Sequence, residues 1–511
     1  MARGAIEIRR AWLGWTAAGF VAAVVLVPLG AVIWQADLSG QALTADWAAV
    51  RFTLLQATVS AFTSVALAIP VARALARRRF PGRGLLITLL GAPFILPVIV
   101  AVLGLLAVFG RNGLLNGALG WIGVAPVSIY GLQGVVLAHV FLNLPLATRV
   151  ILQGWQGIPA ERFRLAASLG MRPRQVFRVL EWPMLRAVLP GAVMVIFALC
   201  LSSFAVALIL GGGPRATTIE LAIYQAFRFD FDLSRAAALA LVQLVLAGGA
   251  AALALWLAVP PGFGAGLDRV VRRWEAERAG LRLFDGLAVG LAAVFLLVPL
   301  AIVFFNGVSG LARVPGSVWE AAGVSVVIAL VSTSVTLILA LGLARRGEIW
   351  GYLGLAVSPM VVGTGLFLLI NPWASPIALA LPVTALVNAL MALPFAVRVL
   401  APELARVEDD FGRLADALGL HGWARLRLLL LPRLRRPLSF AAGLTAALSM
   451  GDLGVVALFA SPDWATLPLQ MYRLMGAYRM EAAAGAALIL LGLSLMLFWV
   501  FDRGGRVDVD A

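Results

Sequence analysis

The chain contains no lysine, a single cysteine and two histidines among its 511 residues. Without lysine it cannot build the Gly-x-x-x-x-Gly-Lys phosphate loop of Walker-type ATPases, so we expect ATP to be bound by a separate subunit. The lone Cys200 excludes an intramolecular disulfide and a cysteine metal cluster, and its apolar surroundings are typical of a small packed residue. His139 and His421 are too few for a histidine-based metal centre.

Charged residues are also scarce. They make up 13% of the chain, whereas hydrophobic residues make up 62% and the mean hydropathy is +0.98. Because a soluble domain carries roughly 25% charged residues, this composition predicts a membrane protein. The net charge is +15, and all 40 basic residues are arginine. They stand in short clusters between apolar runs, which indicates membrane orientation rather than nucleic-acid binding.

Twelve apolar runs approach the roughly 20 residues that a helix needs to cross a membrane. Six lie near 13–34, 53–73, 85–109, 128–148, 187–210 and 236–258, and six near 284–306, 321–344, 350–371, 376–399, 438–460 and 483–501. The first run is longer than the apolar core of a signal peptide, and no small-residue cleavage site follows it, so we interpret it as a retained helix. The sequence therefore predicts an all-α membrane protein with about 12 transmembrane helices.

The placement of arginine predicts the orientation of these spans. On the side that holds both termini we count 32 of the 40 arginines. Since arginine is enriched in cytoplasmic loops, we expect both termini in the cytoplasm. The eight arginines on the opposite side are Arg51, Arg111, Arg215, Arg228, Arg235, Arg313, Arg473 and Arg479.

One arginine-rich segment occurs twice in the chain. Gly170 and Pro183 in the first copy match Gly419 and Pro432 in the second, both at a spacing of 249 residues. The duplication predicts two halves with the same orientation, related by an axis along the membrane normal. The predicted boundaries are a first half at 1–258, a cytoplasmic linker at 259–283, a second half at 284–511, and the repeated loops at 151–186 and 400–437.

Each repeated loop combines a helical apolar pattern, a glycine, a second apolar stretch and a proline. Glycine suits a helix C-terminus with left-handed backbone, and proline suits the start of the next helix or a break before it. We expect two short helices at an angle, outside the bilayer, with an apolar knob exposed. Taken alone, one such loop is more typical of an amphipathic helix on lipid headgroups. Two copies at one spacing favour docking to a cytoplasmic partner instead.

The spacing from glycine to proline resembles the EAA loop of binding-protein-dependent ABC importer permeases. In that family the loop forms a coupling helix that fits a groove on the ATPase subunit. The Glu-Ala-Ala of the family falls on Arg164-Leu165-Ala166 and Arg413-Leu414-Ala415, so the glutamate is absent from both copies. The resemblance implies two parallel six-helix repeats of the type-1 permease fold. It assigns ATPase coupling to Arg164, Ala166, Gly170, Phe177, Pro183, Arg413, Ala415, Gly419, Leu426 and Pro432.

Further motifs resemble the permeases of thiamine ABC importers. They are Gly110-Arg-Asn-Gly113, Tyr130-Gly-Leu-Gln133, Ala138-His-Val-Phe-Leu-Asn-Leu-Pro145, the glycine-rich stretch from Leu210 to Gln225, Gly451-Asp-Leu-Gly-Val-Val-Ala-Leu-Phe459 and Thr466-Leu-Pro468.

The resemblance to this family implies a partner for each step of transport. A periplasmic thiamine-binding protein would deliver thiamine, or its phosphates, across the bacterial inner membrane. An ABC ATPase, expected as a homodimer, would hold ATP-Mg, and this chain would bind no cofactor. Ferric-iron permeases share the fused two-half length and are the closest alternative.

Polar residues inside spans are candidates for the translocation pathway, because ionisable groups are costly there. Asp452 lies in the eleventh span, and its counterpart 249 residues earlier is Ser203. An acid in the pathway favours a cation, but flanking glycines also fit an aspartate that bonds to the backbone at a helix break. His139 and Asn388 correspond at the same spacing. They are expected either to face the pathway or to hydrogen-bond between helices.

Two features on the outward side are candidates for a periplasmic gate. Gly211, Gly212 and Gly213 leave backbone amides free, with a plain turn as the alternative, and Tyr224 and Tyr472 match at a spacing of 248. A self-sufficient secondary transporter with two six-span halves is the rival from another class of protein. It needs no ATPase and leaves the paired loops unexplained, as does a membrane scaffold or receptor.

Overall fold

The computed structural model describes residues 2–36, 46–91, 95–213, 216–257, 273–274, 277–344, 347–459 and 464–505. Most of the linker predicted at 259–283 lies outside these residues, as does the Pro214 that follows the three glycines of the candidate gate. The statements below concern the described part of the chain.

The regular secondary structure in the described part of the first half is entirely helical. Its helices are α1 (Ala2–Gln35), α2 (Trp47–Arg77), α3 (Arg83–Leu89), α4 (Val98–Phe109), α5 (Leu114–Trp121), α6 (Leu132–Gln156), α7 (Ala160–Ser168), α8 (Pro173–Val176), α9 (Trp182–Leu201), α10 (Phe204–Leu210), α11 (Ile219–Gln225) and α12 (Leu233–Trp256). Two π-helical turns, Phe177–Glu181 and Ala226–Asp230, extend α8 and α11.

The second half repeats this order of elements. Its helices are α13 (Ala279–Gly310), α14 (Gly316–Leu343), α15 (Glu348–Gly351), α16 (Leu353–Ala356), α17 (Pro359–Ile370), α18 (Ala380–Ala417), α19 (Gly422–Arg425), α20 (Leu431–Arg433), α21 (Arg435–Met450), α22 (Gly454–Leu458), α23 (Leu467–Gly476) and α24 (Met480–Gly505). A 3₁₀ turn follows α13 at Leu311–Arg313, and a π-helical turn follows α19 at Leu426–Leu430.

The prediction of an all-α protein with many membrane spans is confirmed. Within the described residues, eleven helical segments are long and apolar enough to cross a membrane. The count becomes twelve if Glu348–Ala356 and Pro359–Ile370, which meet at 91°, form one broken span. Apolar and small side chains fill the core between the helices, and large apolar side chains cover much of the outer surface.

Four of the predicted spans are interrupted, and the interruption at Asp452 is the helix break that its flanking glycines suggested. Runs 85–109 and 350–371 break before Pro97 and Ser358, while runs 187–210 and 438–460 break at Ser202 and at Asp452. Proline cannot donate a backbone hydrogen bond to the preceding turn, and serine and aspartate side chains compete for backbone groups. The breaks occupy corresponding places in the two halves.

The second repeated loop also departs from its prediction. Helix α18 runs unbroken for 38 residues, so the predicted span at 376–399 and the first loop helix are one element. In the first half, α6 and α7 are separated at Gly157–Pro159. The positions 249 residues later are Arg406 and Glu408, which favour helix and have the backbone N–H that proline lacks.

The first helix of each half packs against the other half. Helix α1 lies on α14 and α17, and α13 lies on α2 and α4. Glycines permit the close approach, as small residues do between membrane helices. A Cβ atom added at Gly365 would lie 2.4 Å from the carbonyl oxygen of Pro28, and one at Gly104 would lie 2.8 Å from that of Pro299. Each half therefore holds the other through an in-helix proline.

An ion-pair cluster fixes the start of the second half to the first. The carboxylate of Asp285, on α13, is buried and accepts hydrogen bonds from Arg77, the last residue of α2, and from Arg78, which follows it. Each arginine Nε lies 2.7 Å from Oδ2 of Asp285. These arginines were interpreted as orientation signals, and they also join the halves.

Candidate coupling loops and central cavity

The first repeated loop turns at a left-handed glycine. Gly170 has φ +63°. The N–H of Met171 donates to the carbonyl oxygen of Ala166 at 2.9 Å, and the N–H of Gly170 donates to that of Ala167 at 3.0 Å. This pair of bonds is the Schellman motif, which satisfies the last carbonyls of a helix and reverses the chain.

The second loop repeats this geometry at 249 residues' distance. Gly419 has φ +67°, Leu420 donates to Ala415 at 2.9 Å, and Gly419 donates to Asp416 at 3.1 Å. The left-handed backbone predicted at both glycines is present. Ala166 and Ala415 are buried and supply the carbonyls that these bonds need.

A π-helical turn precedes the proline in both loops. Phe177–Glu181 leads to Pro183, and Leu426–Leu430 leads to Pro432. Each proline is the second residue of the helix that follows, where its missing N–H costs least. Single π-helical turns absorb an extra residue within helices and occur often at functional sites. Phe177 and Leu426, which begin these turns, are both half-buried.

The two loops expose the same apolar face. Leu165 and Leu169 are 60% and 63% exposed, and their counterparts Leu414 and Leu418 are 56% and 66% exposed. The arginine that precedes the first leucine of each pair, Arg164 or Arg413, is also exposed. The two loops therefore present matching apolar side chains on their outer faces.

Beneath the first loop lies a buried ionic cluster that includes the linker. The carboxylate of Glu181 is fully buried and accepts hydrogen bonds from Trp155 Nε1 at 3.3 Å and Arg273 Nη1 at 2.9 Å. Its second oxygen lies 2.7 Å from Arg73 Nη2. The Arg273 guanidinium also lies 3.6 Å from the ring centroid of Phe163. A linker residue thus supports the underside of the loop.

Beneath the second loop lies a different ionic cluster, made by residues of the loop and of α18. Leu430 replaces Glu181, and the buried guanidinium belongs to Arg425. Arg425 pairs with Asp416 at 2.7 Å and also with Glu408, both on α18. The loops are therefore alike on their outer faces and different underneath. Sequence reasoning missed both clusters, because the spacing of single charges does not show which of them meet.

A cavity of about 380 Å³ lies between the halves at the four helix breaks. Its walls include Pro97 and Ser203 from the first half and Pro359 and Gly451 from the second. A Cβ atom added at Gly451 would lie 3.1 Å from the Cα of Pro97, so the two broken helices touch there. Irregular backbone within a membrane is tolerated where it is buried in protein or lines a cavity.

Two carboxylates line this cavity, and the sequence prediction had only one of them. Asp452 is the predicted acid. The second is Glu220, on α11, which is 1% exposed. Glu220 accepts a hydrogen bond from Gln243 Nε2 at 3.2 Å. By its position after the fifth predicted span, this segment is predicted to be an outward loop. The signal was an acid inside the apolar stretch Ile219-Glu-Leu-Ala-Ile, which folds back among the spans.

Asp452 and its counterpart Ser203 both line the cavity. Oδ1 of Asp452 accepts from the N–H of Gly454 at 3.2 Å, which is the backbone role considered from the sequence. Oδ2 is buried without a hydrogen-bond partner among the described residues. The aspartate therefore holds a helix start with one oxygen and leaves the other available.

His139 and Asn388 line the cavity as well, and each also bonds to a neighbouring helix. His139 Nδ1 lies 3.1 Å from the hydroxyl of Ser60, and Asn388 Nδ2 donates to the hydroxyl of Ser449 at 3.0 Å. The hydrogen bonds between helices that the sequence analysis considered are therefore present, and both residues also border the cavity. His139 Nε2 is buried without a partner in the described part of the chain.

Of the candidate gate residues, Tyr224 contacts the wall of the cavity, and none of them is among the described residues that line it. Gly212 and Gly213 have φ of +74° and +126°, and a Cβ atom at Gly212 would lie 2.8 Å from that of Tyr130. The ring of Tyr224 lies 5.4 Å from that of Phe204, a cavity residue. Burial, together with the neighbouring Tyr224, raises the pKa of the Tyr472 phenol.

Several curated proteins are similar to this chain over nearly its whole length. The thiamine transport system permease protein ThiP of Escherichia coli (strain K12) is 42% identical over 98% of this chain and 98% of its own. ThiP of Salmonella typhimurium is 40% identical over 96% of both chains. ThiP of Brucella abortus (strain 2308) is 40% identical over 91% of this chain and 89% of its own.

More distant similarity reaches another permease. The sulfate transport system permease protein CysW of Synechococcus elongatus is 28% identical over 39% of this chain. No protein-family profile matches the sequence.

Proposed function

The chain belongs to the thiamine transport system permease family, and from that membership we propose that it is the membrane-spanning subunit of an ATP-driven importer of thiamine. One structural observation supports the proposal most directly. Two loops at one spacing end in the same Schellman turn and expose the same leucines, so they offer two equal docking surfaces. The chain is a transport subunit and not an enzyme.

We propose that an ABC ATPase homodimer occupies both loops and binds ATP-Mg. A homodimer presents two identical grooves, which matches two equal surfaces on a single chain. The residues that would meet it are the exposed leucines with Arg164 and Arg413, held by Gly170 and Gly419. Since the chain lacks lysine, it has no Walker-type site of its own, which supports an ATPase on a separate subunit.

We place the protein in the bacterial inner membrane with both termini in the cytoplasm, on the strength of the arginine distribution. Single cysteines at Arg111, Arg174 and Arg427 in a Cys200→Ala background test this. An impermeant thiol reagent added to intact cells should label position 111 alone. External labelling at 174 or 427 would overturn the orientation.

Substrate would arrive from a periplasmic thiamine-binding protein and pass through the central cavity. Asp452, Ser203, His139 and Asn388 are the proposed pathway residues, because all four line that cavity. The proposed gate consists of Gly211, Gly212, Gly213, Tyr224 and Tyr472. Thiamine phosphates are included as candidate substrates.

The proposal is tested by reconstituting the permease with its ATPase and binding protein in proteoliposomes. We expect ATP-dependent uptake of radiolabelled thiamine and none of ferric iron. The double variant Gly170→Asp/Gly419→Asp should insert normally yet lose both uptake and copurification of the ATPase. Iron uptake without thiamine uptake would replace the substrate, and uptake without any ATPase would replace the class of transporter.

A further inference from the structure

The central cavity is lined by acidic side chains that the duplication alone does not explain. Of the described residues that line it, only Glu220, Asp452 and His139 can carry charge, although the chain contains 40 arginines. Glu220 comes from the first half and Asp452 from the second. The cavity is therefore walled by two acids and by no arginine in the described part of the chain.

The two acids do not correspond to each other in the repeat. The counterpart of Asp452 is the neutral Ser203, and the residues 248 and 249 positions after Glu220 are Pro468 and Leu469. Each half thus contributes one carboxylate from a different element. The result is one acidic site between the halves rather than a pair of equivalent sites.

Neighbouring groups hold both carboxylates in place, and the cavity wall retains two polar atoms without partners among the described residues. Gln243, which also donates to the carbonyl oxygen of Leu201 at 3.0 Å, and Ser358 of the other half both bond to Glu220. Asp452 is fixed through Oδ1 and retains a buried Oδ2 without a partner. The buried Nε2 of His139 is a second unpartnered polar atom in the cavity wall.

The remaining wall suits a flat ring. Phe204, Phe395, Met360 and Met391 line the cavity. Methionine sulfur and aromatic rings pack favourably against aromatic ligands. The volume of about 380 Å³ lies within the range of small-molecule sites. Transporters commonly bind substrate where their membrane helices are interrupted, as four are here.

We infer that this cavity is a substrate-binding site for a heteroaromatic organic cation, held between the carboxylates of Glu220 and Asp452. The inference rests on the proposed function, since it takes the imported thiamine, with its fixed positive thiazolium charge, as the occupant. A buried carboxylate favours a cation over a neutral molecule of equal shape, because the low local dielectric strengthens their attraction.

The test compares two ligands of one shape. Equilibrium binding to the permease–ATPase complex in lipid nanodiscs is measured for thiamine and for an isostere in which a neutral thiophene ring replaces the thiazolium. The variants are Glu220→Gln, Asp452→Asn and the double variant. The matched control is Glu320→Gln, which removes an exposed acid from α14.

We expect each cavity variant to weaken thiamine binding about tenfold, corresponding to one decade in Kd, and to change binding of the isostere less than twofold. The ratio of the two Kd values is insensitive to the fraction of protein that folds. The control should keep the wild-type ratio.

An unchanged ratio in the double variant, or equal loss of both ligands, would overturn the inference, as would failure of the wild type to bind thiamine. Uptake by wild-type proteoliposomes is measured in parallel. Thiamine uptake with an unchanged binding ratio defeats the cation site alone, whereas absence of thiamine uptake defeats the proposed function.

Discussion

Replacing Glu181 by leucine tests the difference between the two coupling loops, because it gives the first loop the residue that the second carries as Leu430. In the second loop no carboxylate is needed at this place. In the first, the change removes the shared counter-charge of Arg273 and Arg73, whose side chains are 2% and 21% exposed. Removing one partner of a buried pair costs about 3–5 kcal/mol. We expect about 3 kcal/mol, since Arg73 can reach solvent.

The double variant Glu181→Leu/Arg273→Leu gives the opposite expectation. Replacing both members of a buried pair with apolar residues is often neutral or stabilising. We therefore expect it to cost about 1 kcal/mol, which is less than Glu181→Leu alone. Arg273→Leu alone should cost about 1 kcal/mol, because Glu181 keeps Arg73 as a partner. The favourable coupling between the two sites should therefore be about 3 kcal/mol, at the upper end of the range for residues in contact.

Unfolding free energies from detergent titration in mixed micelles measure these costs, with copurification of the ATPase as the functional readout. The matched control is Glu161→Leu, which removes an exposed acid from the first turn of α7 in the same loop. It should change stability by no more than about 1 kcal/mol. Costs of Glu181→Leu and Arg273→Leu that add within about 0.5 kcal/mol would refute the argument that the linker supports this loop through the pair.

Two further predictions concern glycines. Gly170→Ala and Gly419→Ala should each lower loop stability by about 1 kcal/mol, because an alanine side chain is strained at positive φ. The Asn variants, which tolerate that backbone, serve as controls. If the Ala and Asn variants lose ATPase copurification equally, the side chain itself blocks docking. Gly104→Ala and Gly365→Ala should each cost about 1–3 kcal/mol by overpacking against a proline carbonyl. Gly323→Ala, with open space around it, should be neutral or stabilising. Equal melting temperatures for all three variants would contradict the proposed packing between the halves.

The sequence predicted those features that depend on local pattern. Hydropathy gave the membrane class and most spans, and the repeated glycines gave the two turns, because a left-handed helix end has a strong local preference for glycine. The continuous helix through the second loop was missed. It depends on the change from Pro159 to Glu408, and only comparison of the two copies residue by residue would show it.

Features that depend on contacts between residues far apart in the sequence could not be predicted from the sequence pattern. A helix break in an apolar run hardly changes its hydropathy, so the interruption at Ser203 was not predicted, whereas the glycines beside Asp452 did suggest a break there. Glu220 was placed outside because its helix is too short to span. Arg273 was interpreted only as an orientation signal, and Asp285 was not singled out. No local rule pairs a linker residue with an acid about 90 residues earlier, or an acid with an arginine 208 residues earlier.

The arrangement of helices links each loop to the cavity by a short path. Helix α9 begins at the π-helical turn of the first loop and ends at the break beside Ser203, and α21 leads from the second loop to the break beside Asp452. Twenty helical residues, as in α9, span about 30 Å, which is the thickness of the hydrocarbon core. A shift imposed on a loop by an ATPase would therefore move one wall of the cavity as a rigid unit. Since the acids of the proposed cation site stand on different helices, such a shift would change the distance between them, and binding in the cavity would become dependent on the state of the ATPase.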